Sequence, residues 1–563
     1  MLSDGAVFAR WPGILALLLA VFVYWFALGS DHAATNGDEL LYAQITRLTA
    51  ATGDWLPLQS PVERHRNTKP PALFWQGIVS TDWAAHWDLW HLRYPNVIYT
   101  LALAGMVFVL GRRLGGGAAA GILAALVYLS FFGVYRYGRV FLTSAPEAFW
   151  LFLPVFILCL RRPRSDDLTW PLALAFGVAT GIALLYKSFA LVLAAGAVLT
   201  WWTMHRRGYG VREWLFGDAP KIAAMSVIAL AMFSLWYVLD PQRHLILADF
   251  IVEENLGKFD THGRNYFLRI LWGESSLWRN VISYPLNAGL LAPAVIALFW
   301  IAFRDRRTAR PDETLLWIWI ATVFVVFTIP DQRDERYLLP AMPAIAVLCA
   351  LYWSRLPRWV LAISLLAVAV IATGMILGAA LLTNDLGLGP VYPWFVWAFL
   401  GALAVFALAG VFRSGLTRIF VLPSILLLYL GYAFFLLPFD GPLGEYDSAA
   451  QDFARGRTIA APVNHGSREE IFLFMLPGSQ LQPYKLKSSF SLDSLKAAND
   501  AFIISLPLQD RSLDNAEGIR VIGTRLNLVD RFRQDETLDM LRGNVSPHLF
   551  KKDVFVEVLR RGS

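Results

Sequence analysis

The chain has 563 residues, of which 56% are hydrophobic and 16% are charged, and its formal net charge is +6. This composition excludes an ordinary soluble enzyme and predicts a polytopic α-helical membrane protein. The two cysteines, Cys159 and Cys349, both fall in apolar segments, which leaves no disulfide framework and no CxxC metal site.

Thirteen apolar stretches are long enough to cross a hydrocarbon core of roughly 30 Å as helices. They are predicted near residues 12–28, 94–111, 117–135, 143–160, 170–186, 189–204, 220–239, 284–303, 314–329, 337–353, 359–383, 391–412 and 419–437. The short connections rich in arginine fall on every second side of the spans, as expected for cytoplasmic loops of a membrane protein. The arginines thus indicate the orientation of the chain in the membrane, and they do not indicate nucleic-acid binding. A cytoplasmic N-terminus then makes 29–93, 240–283 and 438–563 external.

We therefore predict two domains, a transmembrane domain over 1–437 and a soluble α/β domain over 438–563. In the second domain, 447–455 has the pattern of an amphipathic helix. Three segments, 501–507, 519–523 and 553–559, have the composition of short strands.

The first external loop contains an acidic pair, Asp38 and Glu39, at the start of a segment with helical apolar spacing, 39–47. A second such segment, 72–79, follows Pro70-Pro71. Both are predicted to be helices lying along the membrane surface. Ionisable groups at that place lie just outside the bilayer, where chemistry on a lipid-borne substrate can occur.

Asp38 is the candidate base for such chemistry. Transfer of a sugar from a lipid phosphate needs a base for the acceptor hydroxyl, whereas the phosphate leaves as a stable anion without a general acid. The helix N-terminus would hold Asp38 ionised. The competing interpretation is that Asp38 only caps this helix.

Cationic side chains on the external side are the candidate phosphate ligands, because both the guanidinium fork and the ammonium suit phosphate. They are Lys69, Lys187, His262, Arg264, Arg333 and Arg336. Lys187 separates two apolar spans with almost no loop, and an ionisable group so near the bilayer indicates a function. The competing interpretations are that Lys187 snorkels to the interface and that the arginines pair with nearby carboxylates. The chain has no P-loop, dinucleotide-binding glycine motif or HExxH motif.

Several short motifs occur in a characteristic order along roughly residues 10–355. They are Gly37-Asp-Glu-Leu-Leu-Tyr-Ala43, Gly53-Asp-Trp-Leu-Pro57, Lys69-Pro-Pro71 with Trp75, Arg93-Tyr-Pro95, 250–259 with His262, and Arg336-Tyr-Leu-Leu-Pro340 with Pro343. In this order they resemble the aminoarabinose transferases of lipid A, which are GT-C membrane glycosyltransferases related to the protein O-mannosyltransferases. The thirteen spans and the external C-terminal domain are similar as well.

The resemblance implies inverting transfer from an undecaprenyl-phosphate-linked sugar on the periplasmic side of a bacterial inner membrane, without a nucleotide donor. It implies that Asp38 is the essential acid, that Lys69 meets the donor phosphate and that Tyr337 lies near the same pocket. His262 matches a histidine that can hold zinc together with a glutamate. Thr68 occupies the glutamate position here, so the chain departs from the metal site. No cofactor is assigned, and a divalent metal held by His262 stays an open alternative.

A second departure lies at the start of the fourth span. Relatives commonly have Thr-Asp-x-Pro there, whereas this chain has Thr143-Ser-Ala-Pro146 followed by Glu147. Either Glu147 takes the place of the aspartate one turn later, or the second acid is absent. The sugar is therefore not assigned to aminoarabinose.

The resulting hypothesis is a glycosyltransferase in which Asp38 activates the acceptor, a hydroxyl of lipid A or of another envelope glycolipid or glycan. Lys69, Lys187, Arg264, Arg336 and Tyr337 surround the donor phosphate, Glu39 positions the donor sugar, and Tyr42, Glu147 and His262 are further pocket residues. Two alternatives remain open at this stage. One is a protein O-glycosyltransferase with the same kind of donor, and the other is a transporter or flippase of envelope lipids.

Overall fold

A computed structural model describes most of the chain. The described residues are 11–32, 37–61, 66–67, 69–161, 168–255, 271–272, 276–305, 313–330, 333–386, 389–463, 468–485, 492–514, 516–528, 534–541 and 546–560. They form a helical domain followed by a small domain built on one β-sheet. The predicted combination of a polytopic helical domain and a C-terminal α/β domain is thereby confirmed in outline.

Within the described residues, the helical domain contains eighteen α-helices of seven residues or more. They are α1 Trp11–Trp25, α2 Gly37–Ala50, α3 Ala72–Ser80, α4 Leu89–Gly115, α5 Ala118–Ser130, α6 Phe132–Arg139, α7 Ser144–Leu160, α8 Trp170–Tyr186, α9 Leu191–Arg206, α10 Val211–Gly217, α11 Ala219–Leu239, α12 Leu277–Ala288, α13 Ala292–Arg304, α14 Thr314–Thr328, α15 Met342–Leu351, α16 Arg358–Leu386, α17 Trp394–Phe412 and α18 Thr417–Leu436. A π-helix spans Ile246–Asn255, and a 3-10 helix spans Glu335–Ala341 immediately before α15.

Six of the described helical segments are long and apolar enough to cross a membrane by themselves. They are Leu89–Gly115, Ala219–Leu239, Leu277–Arg304, Arg358–Asn384, Trp394–Phe412 and Thr417–Leu436. The bent pair α5 and α6 makes up to seven, and α1, α7, α8 and α14 are shorter apolar helices. A helix lies at the position of each of the thirteen predicted spans, while the number that cross the membrane stays a prediction.

The predicted span 117–135 is not one straight helix. The chain bends by 69° between α5 and α6, because Phe131 has the extended dihedral angles φ −68° and ψ 128°. The bend brings the buried guanidinium of Arg139, at the end of α6, to the Tyr24 carbonyl at 3.1 Å and the Tyr135 hydroxyl at 2.6 Å. A buried guanidinium needs such hydrogen-bond acceptors. The pattern of apolar residues in the sequence does not predict where they lie.

The two predicted surface helices of the first loop are present as α2 and α3. The helix α2 begins at Gly37, so Asp38 and Glu39 lie in its first turn rather than before it. The helix α3 follows Pro71, whose fixed φ suits the start of a helix. The buried face of α2 includes Tyr42 and Ile45, which point into the core of the helical domain.

The C-terminal domain is a five-stranded mixed sheet with strand order β2-β1-β3-β5-β4. The strands are β1 Thr458–Val463, β2 Gln480–Lys485, β3 Ala501–Pro507, β4 Ile519–Leu528 and β5 Phe550–Val558, and the helices are α19 Ser448–Ala454, α20 Ile471–Met475, α21 Leu492–Ala498, α22 Gln534–Leu541 and α23 Ser546–Leu549. Strand β1 pairs in parallel with β2 and β3, whereas β5 is antiparallel to β3 and β4. The predicted helix and three strands are confirmed; β1 and β2 were missed because their apolar runs are short.

A partly buried polar triad joins the first loop to the segment after α18. The Nδ1 atom of His32 lies 2.8 Å from an Asp31 carboxylate oxygen and 2.8 Å from an Asp440 carboxylate oxygen. Arg525 of β4 reaches this triad, 3.6 Å from Asp31, and also donates to the Gly444 carbonyl at 3.0 Å. The triad therefore ties the helical domain to the C-terminal domain.

This triad predicts that the stability of the protein falls in alkaline solution. Burial lowers the pKa of His32, but the hydrogen bonds and charges of Asp31 and Asp440 outweigh burial and raise it from 6.5 to about 9. The stabilisation is fully present below pH 6.5 and is lost as the pH rises through about 9, with an upper limit of about 3 kcal/mol. Thermal unfolding of the detergent-solubilised protein should show a lower midpoint at pH 9.5 than at pH 6.

The variant His32→Gln should lose most of this pH dependence. His91→Gln is the matched control, because His91 also contacts an aspartate, Asp88, but at a more exposed position. An unchanged pH dependence in His32→Gln would contradict the assignment.

Candidate active site

The first turn of α2 is held by a buried ion pair. Both carboxylate oxygens of Glu39 accept from Arg93 of α4 at 2.7 Å, and one of them also accepts the Phe141 backbone N–H at 2.8 Å. The third nitrogen of Arg93 donates to the Leu28 and Ser30 carbonyls. Since its oxygens are engaged inside the fold, Glu39 is better suited to fixing α2 than to contacting a donor sugar.

Asp38, one residue earlier, has the opposite environment. Its side chain is 43% exposed, and one carboxylate oxygen accepts from the Arg336 guanidinium at 2.8 Å. The Arg336 backbone N–H donates to Asp334, which caps the 3-10 helix carrying Arg336. Residues almost 300 positions apart in the chain are thus brought together, leaving Asp38 accessible beside a cation.

A second ion pair lies beside the first. Glu147, in the first turn of α7, accepts from Lys187 at 2.7 Å. Lys187 lies in the turn between α8 and α9, with its ammonium 4.4 Å from the centre of the Tyr337 ring. Glu147 is fully buried, and its Oε1 atom has no hydrogen-bond partner among the described residues. That oxygen is a buried acceptor that the contacts inside the fold leave unbonded.

The two ion pairs belong to one cluster of charges. Glu147 interacts electrostatically with Lys187, Arg336 and Lys69, in that order of strength. Burial lowers the pKa of Lys187 from its ordinary value, although Glu147 acts in the opposite direction. An additional anion beside these three cations would stabilise their charge, which is the property required of a phosphate site.

An apolar groove of about 920 Å³ opens next to this cluster. It runs between α3, α4, α8 and α11 and is lined by Trp55, Trp75, Tyr99, Tyr186 and Leu239 among others. Tyr186 precedes Lys187 directly, and Ala72 at the other wall follows Lys69 by three residues. None of the three cations lines the groove, but Tyr186 brings its wall to the residue before Lys187. This arrangement suits a ligand with a long apolar tail and an anionic head.

The remaining predicted residues are placed as follows. Tyr42 is buried on α2 and lies close enough to Arg336 to interact electrostatically with it. Arg333 donates to the Thr328 carbonyl through two nitrogens, so its contacts stabilise the turn after α14. His262, Arg264 and Thr68 lie outside the described residues.

A metal site is not identified at this cluster. Among the described residues, the one group of three histidine or carboxylate ligands close enough to share an ion is Asp31, His32 and Asp440. These side chains bond to one another in the joint between the domains, and Asp31 is next to Arg525. We assign no ion to them.

Sequence reasoning missed the partners that fix the site. The sequence marks Arg93 only as part of the Arg93-Tyr-Pro95 motif. The Phe141 contact is made by a backbone N–H, which the type of side chain does not reveal. A buried arginine in an otherwise apolar helix is the one feature that could have directed attention to Arg93, because such a charge requires a partner.

Residues 30–244 match the family model described as dolichyl-phosphate-mannose-protein mannosyltransferase. This region contains α2, α3, Glu147 and Lys187, but not Arg336 or the C-terminal domain.

Two curated relatives are both described as undecaprenyl phosphate-alpha-4-amino-4-deoxy-L-arabinose arabinosyl transferase. The one from Proteus mirabilis is 25% identical over 353 residues, which is 60% of this chain and 59% of the relative. The one from Edwardsiella ictaluri is 27% identical over 362 residues, 61% of this chain and 60% of the relative. The matched region therefore spans about three fifths of each relative's length.

Solved structures extend the likeness to nearly the whole chain. The crystal structure of ArnT from Cupriavidus metallidurans bound to undecaprenyl phosphate superimposes with a TM-score of 0.60 and 19% identity, covering 96% of this chain and 97% of that one. The apo form of the same protein gives a TM-score of 0.56. At this identity the likeness concerns the fold, including the C-terminal domain.

Proposed function

We propose that this chain, which resembles the GT-C membrane glycosyltransferases of the ArnT type, is an inverting transferase that moves a sugar from a polyprenyl phosphate to a hydroxyl of lipid A or another envelope glycan. The observation that carries the proposal is the half-exposed Asp38 at 2.8 Å from Arg336, close to the partly buried Lys187 and to an apolar groove. A base, a cationic pocket and a lipid-sized groove thus adjoin one another.

In the proposed reaction the acceptor hydroxyl gives its proton to Asp38 as its oxygen attacks the anomeric carbon of the donor. A new glycosidic bond forms, the bond between the anomeric carbon and the phosphate oxygen breaks, and the electron pair leaves with the polyprenyl phosphate. Lys69, Lys187 and Arg336 stabilise the anion that departs. Attack opposite to the leaving group inverts the configuration, and no general acid is needed.

The position of the groove supports this assignment of roles. A polyprenyl tail is apolar and long, and the groove lies between helices with aromatic and aliphatic walls. Binding the tail there places the phosphate near Lys187 and the sugar toward Asp38. Because Asp38 belongs to a loop predicted to be external, we propose that the reaction takes place at the periplasmic face of the inner membrane.

Glu147 is proposed to orient the phosphate ligand Lys187 through its hydrogen bond to the ammonium. Glu39 is proposed to anchor α2, which revises the role that its position in the sequence first indicated. Both proposals rest on the hydrogen bonds of the two carboxylates. Both oxygens of Glu39 are bonded to Arg93, and one of them also to Phe141, whereas one oxygen of Glu147 is bonded to Lys187.

The family match over 30–244 favours a second candidate, a protein O-glycosyltransferase with the same donor. The test is to reconstitute the purified protein with a radiolabelled polyprenyl-phosphate sugar, lipid A and total envelope protein. Label recovered in the lipid A fraction supports the proposal. Label in the protein fraction supports the alternative, and label that crosses the vesicle membrane unchanged in its lipid would indicate a transporter.

The phosphate role of Lys187 gives a binding prediction. Lys187→Met should weaken binding of undecaprenyl phosphate about tenfold, because one charge-assisted contact to the phosphate is worth about 1.5–3 kcal/mol. Binding can be measured by thermal stabilisation of the purified protein across a titration of this lipid. The matched control is Lys221→Met, since Lys221 has a similar exposure, 15% against 14%, and is also paired with a carboxylate. Equal affinity in the two variants would remove Lys187 from the site.

A further inference from the structure

The C-terminal end of α2 is bound by the C-terminal domain. The Arg47 guanidinium forms two contacts with Glu470, at 2.5 Å and 3.0 Å. One turn earlier on the same helix, the Gln44 side-chain amide donates to Glu469 at 3.2 Å. Glu469 and Glu470 belong to a 3-10 turn, Arg468–Glu470, between β1 and α20. A two-pronged polar contact therefore joins this turn to the helix that carries Asp38.

The contact is buried on the side of the C-terminal domain. The Glu470 side chain is 1% exposed, whereas that of Arg47 is 29% exposed. Two parallel hydrogen bonds between a guanidinium and a carboxylate fix the relative orientation of the two groups, whereas a single hydrogen bond does not. Nearby, the Trp87 ring stacks on Phe474 of α20 with centroids 5.7 Å apart. The domain thus rests on the first loop through polar and aromatic contacts together.

The helix α2 is consequently fixed at both ends by residues outside it. Glu39 in its first turn is locked to Arg93 of the helical domain, and Arg47 in its last turn is locked to Glu470 of the C-terminal domain. One anchor leaves a helix free to pivot, whereas two anchors about 12 Å apart along the axis determine its direction.

We infer that Glu470 is a positioning residue, through which the C-terminal domain holds α2 in the orientation that directs Asp38 toward Arg336. The inference rests on the proposed function of Asp38. It gives the C-terminal domain a part in forming the site in addition to any contact with the acceptor. Catalytic groups must be held to within roughly 0.5 Å and 10–20° of their productive geometry, so a small tilt of α2 is sufficient to reduce turnover.

The first variant to test is Glu470→Gln, which keeps the shape of the side chain but removes the negative charge and the second acceptor oxygen that pair with Arg47. Turnover should fall about fivefold while KM for the polyprenyl-phosphate sugar changes less than about twofold, since the phosphate ligands are not touched. Arg47→Lys should have a similar effect, because an ammonium cannot replace the bidentate fork. The double variant, Glu470→Gln with Arg47→Gln, should lose no more than the larger single one.

Hydrogen exchange supplies the measurement that a merely structural role would not reproduce. Amides in 41–50 of α2 should exchange about tenfold faster in Glu470→Gln, with exchange in β1, β3 and β5 unchanged. Asp452→Asn is the control, because its ion pair with Arg455 lies on the same domain with both side chains more than two thirds exposed. The inference is overturned by unaltered α2 exchange, or by faster exchange throughout the sheet, which would indicate unfolding of the domain.

The exchange result does not depend on turnover. If the wild-type protein transferred no sugar, the proposed function would fail, whereas the coupling of Glu470 to α2 would still be decided by exchange. Faster α2 exchange with unchanged turnover in an active protein would reject the positioning role while leaving the proposed function intact.

Discussion

Replacing Asp38 by asparagine is expected to lower turnover about thousandfold, with undecaprenyl phosphate still bound. A general base contributes about 10²–10⁴-fold to a reaction, and an amide cannot take the proton of the acceptor hydroxyl. Arg336 would lose the carboxylate at 2.8 Å but keep its charge for the phosphate. Initial rates of label transfer, together with lipid-binding titrations, would measure the two effects separately.

Two variants sharpen this experiment. Asp54→Asn alters an exposed carboxylate in the same loop and should leave the rate within about twofold, consistent with the small effects of surface substitutions. Asp38→Glu retains a carboxylate but moves it by one methylene, and should recover part of the activity. Retention of turnover by Asp38→Asn would show that another group takes the proton.

Replacing Arg93 by methionine is expected to destabilise the protein by about 3–5 kcal/mol, because the buried carboxylate of Glu39 is left without its counter-charge. Both partners are 2% exposed, so water cannot take the place of the guanidinium. The carbonyls of Leu28 and Ser30 also lose a donor. The midpoint of chemical unfolding in mixed micelles, compared with the wild-type protein, would measure the loss.

The double variant Arg93→Met with Glu39→Gln should recover part of this stability, since it removes the buried charge along with its partner. Arg520→Met is the control: its pair with Glu557 has the arginine 59% exposed, and an exposed pair is worth about 0–1 kcal/mol. Equal losses in Arg93→Met and Arg520→Met would mean that the Glu39 pair does not fix α2.

The helices of this protein follow closely from its sequence. A membrane span is recognised from its local composition, because about twenty consecutive apolar residues are needed to cross the hydrocarbon core. Such a segment forms a helix because a helix pairs its own backbone N–H and C=O groups in lipid. The surface helices α2 and α3 were predicted for a similar reason, since their pattern repeats within a few turns. The bend at Phe131 was not predicted, because it depends on where Arg139 finds acceptors in α1.

The candidate site was predicted in part. The acids and cations at Asp38, Lys69, Glu147, Lys187 and Arg336 were selected by type and position, since ionisable groups are rare beside apolar spans and therefore conspicuous. The sequence singled out Asp38 as the base, but it gave Glu39 a role at the donor sugar that its contacts with Arg93 do not favour. The different roles of the two carboxylates depend on which face of α2 meets Arg93 and which meets Arg336.

Amino-acid composition and pattern were sufficient to predict a helical membrane protein with a small C-terminal α/β domain, and to show where its charged residues concentrate. These properties depend on hydrophobicity and charge, which act locally along the chain. Which charges pair could be seen only in the folded chain. There, Glu39 is bonded inside the fold while Asp38 is exposed, and Glu470 contacts α2 from more than 400 residues away. Such pairings depend on contacts between distant segments, and any of several arginines could satisfy a given carboxylate until the fold selects one.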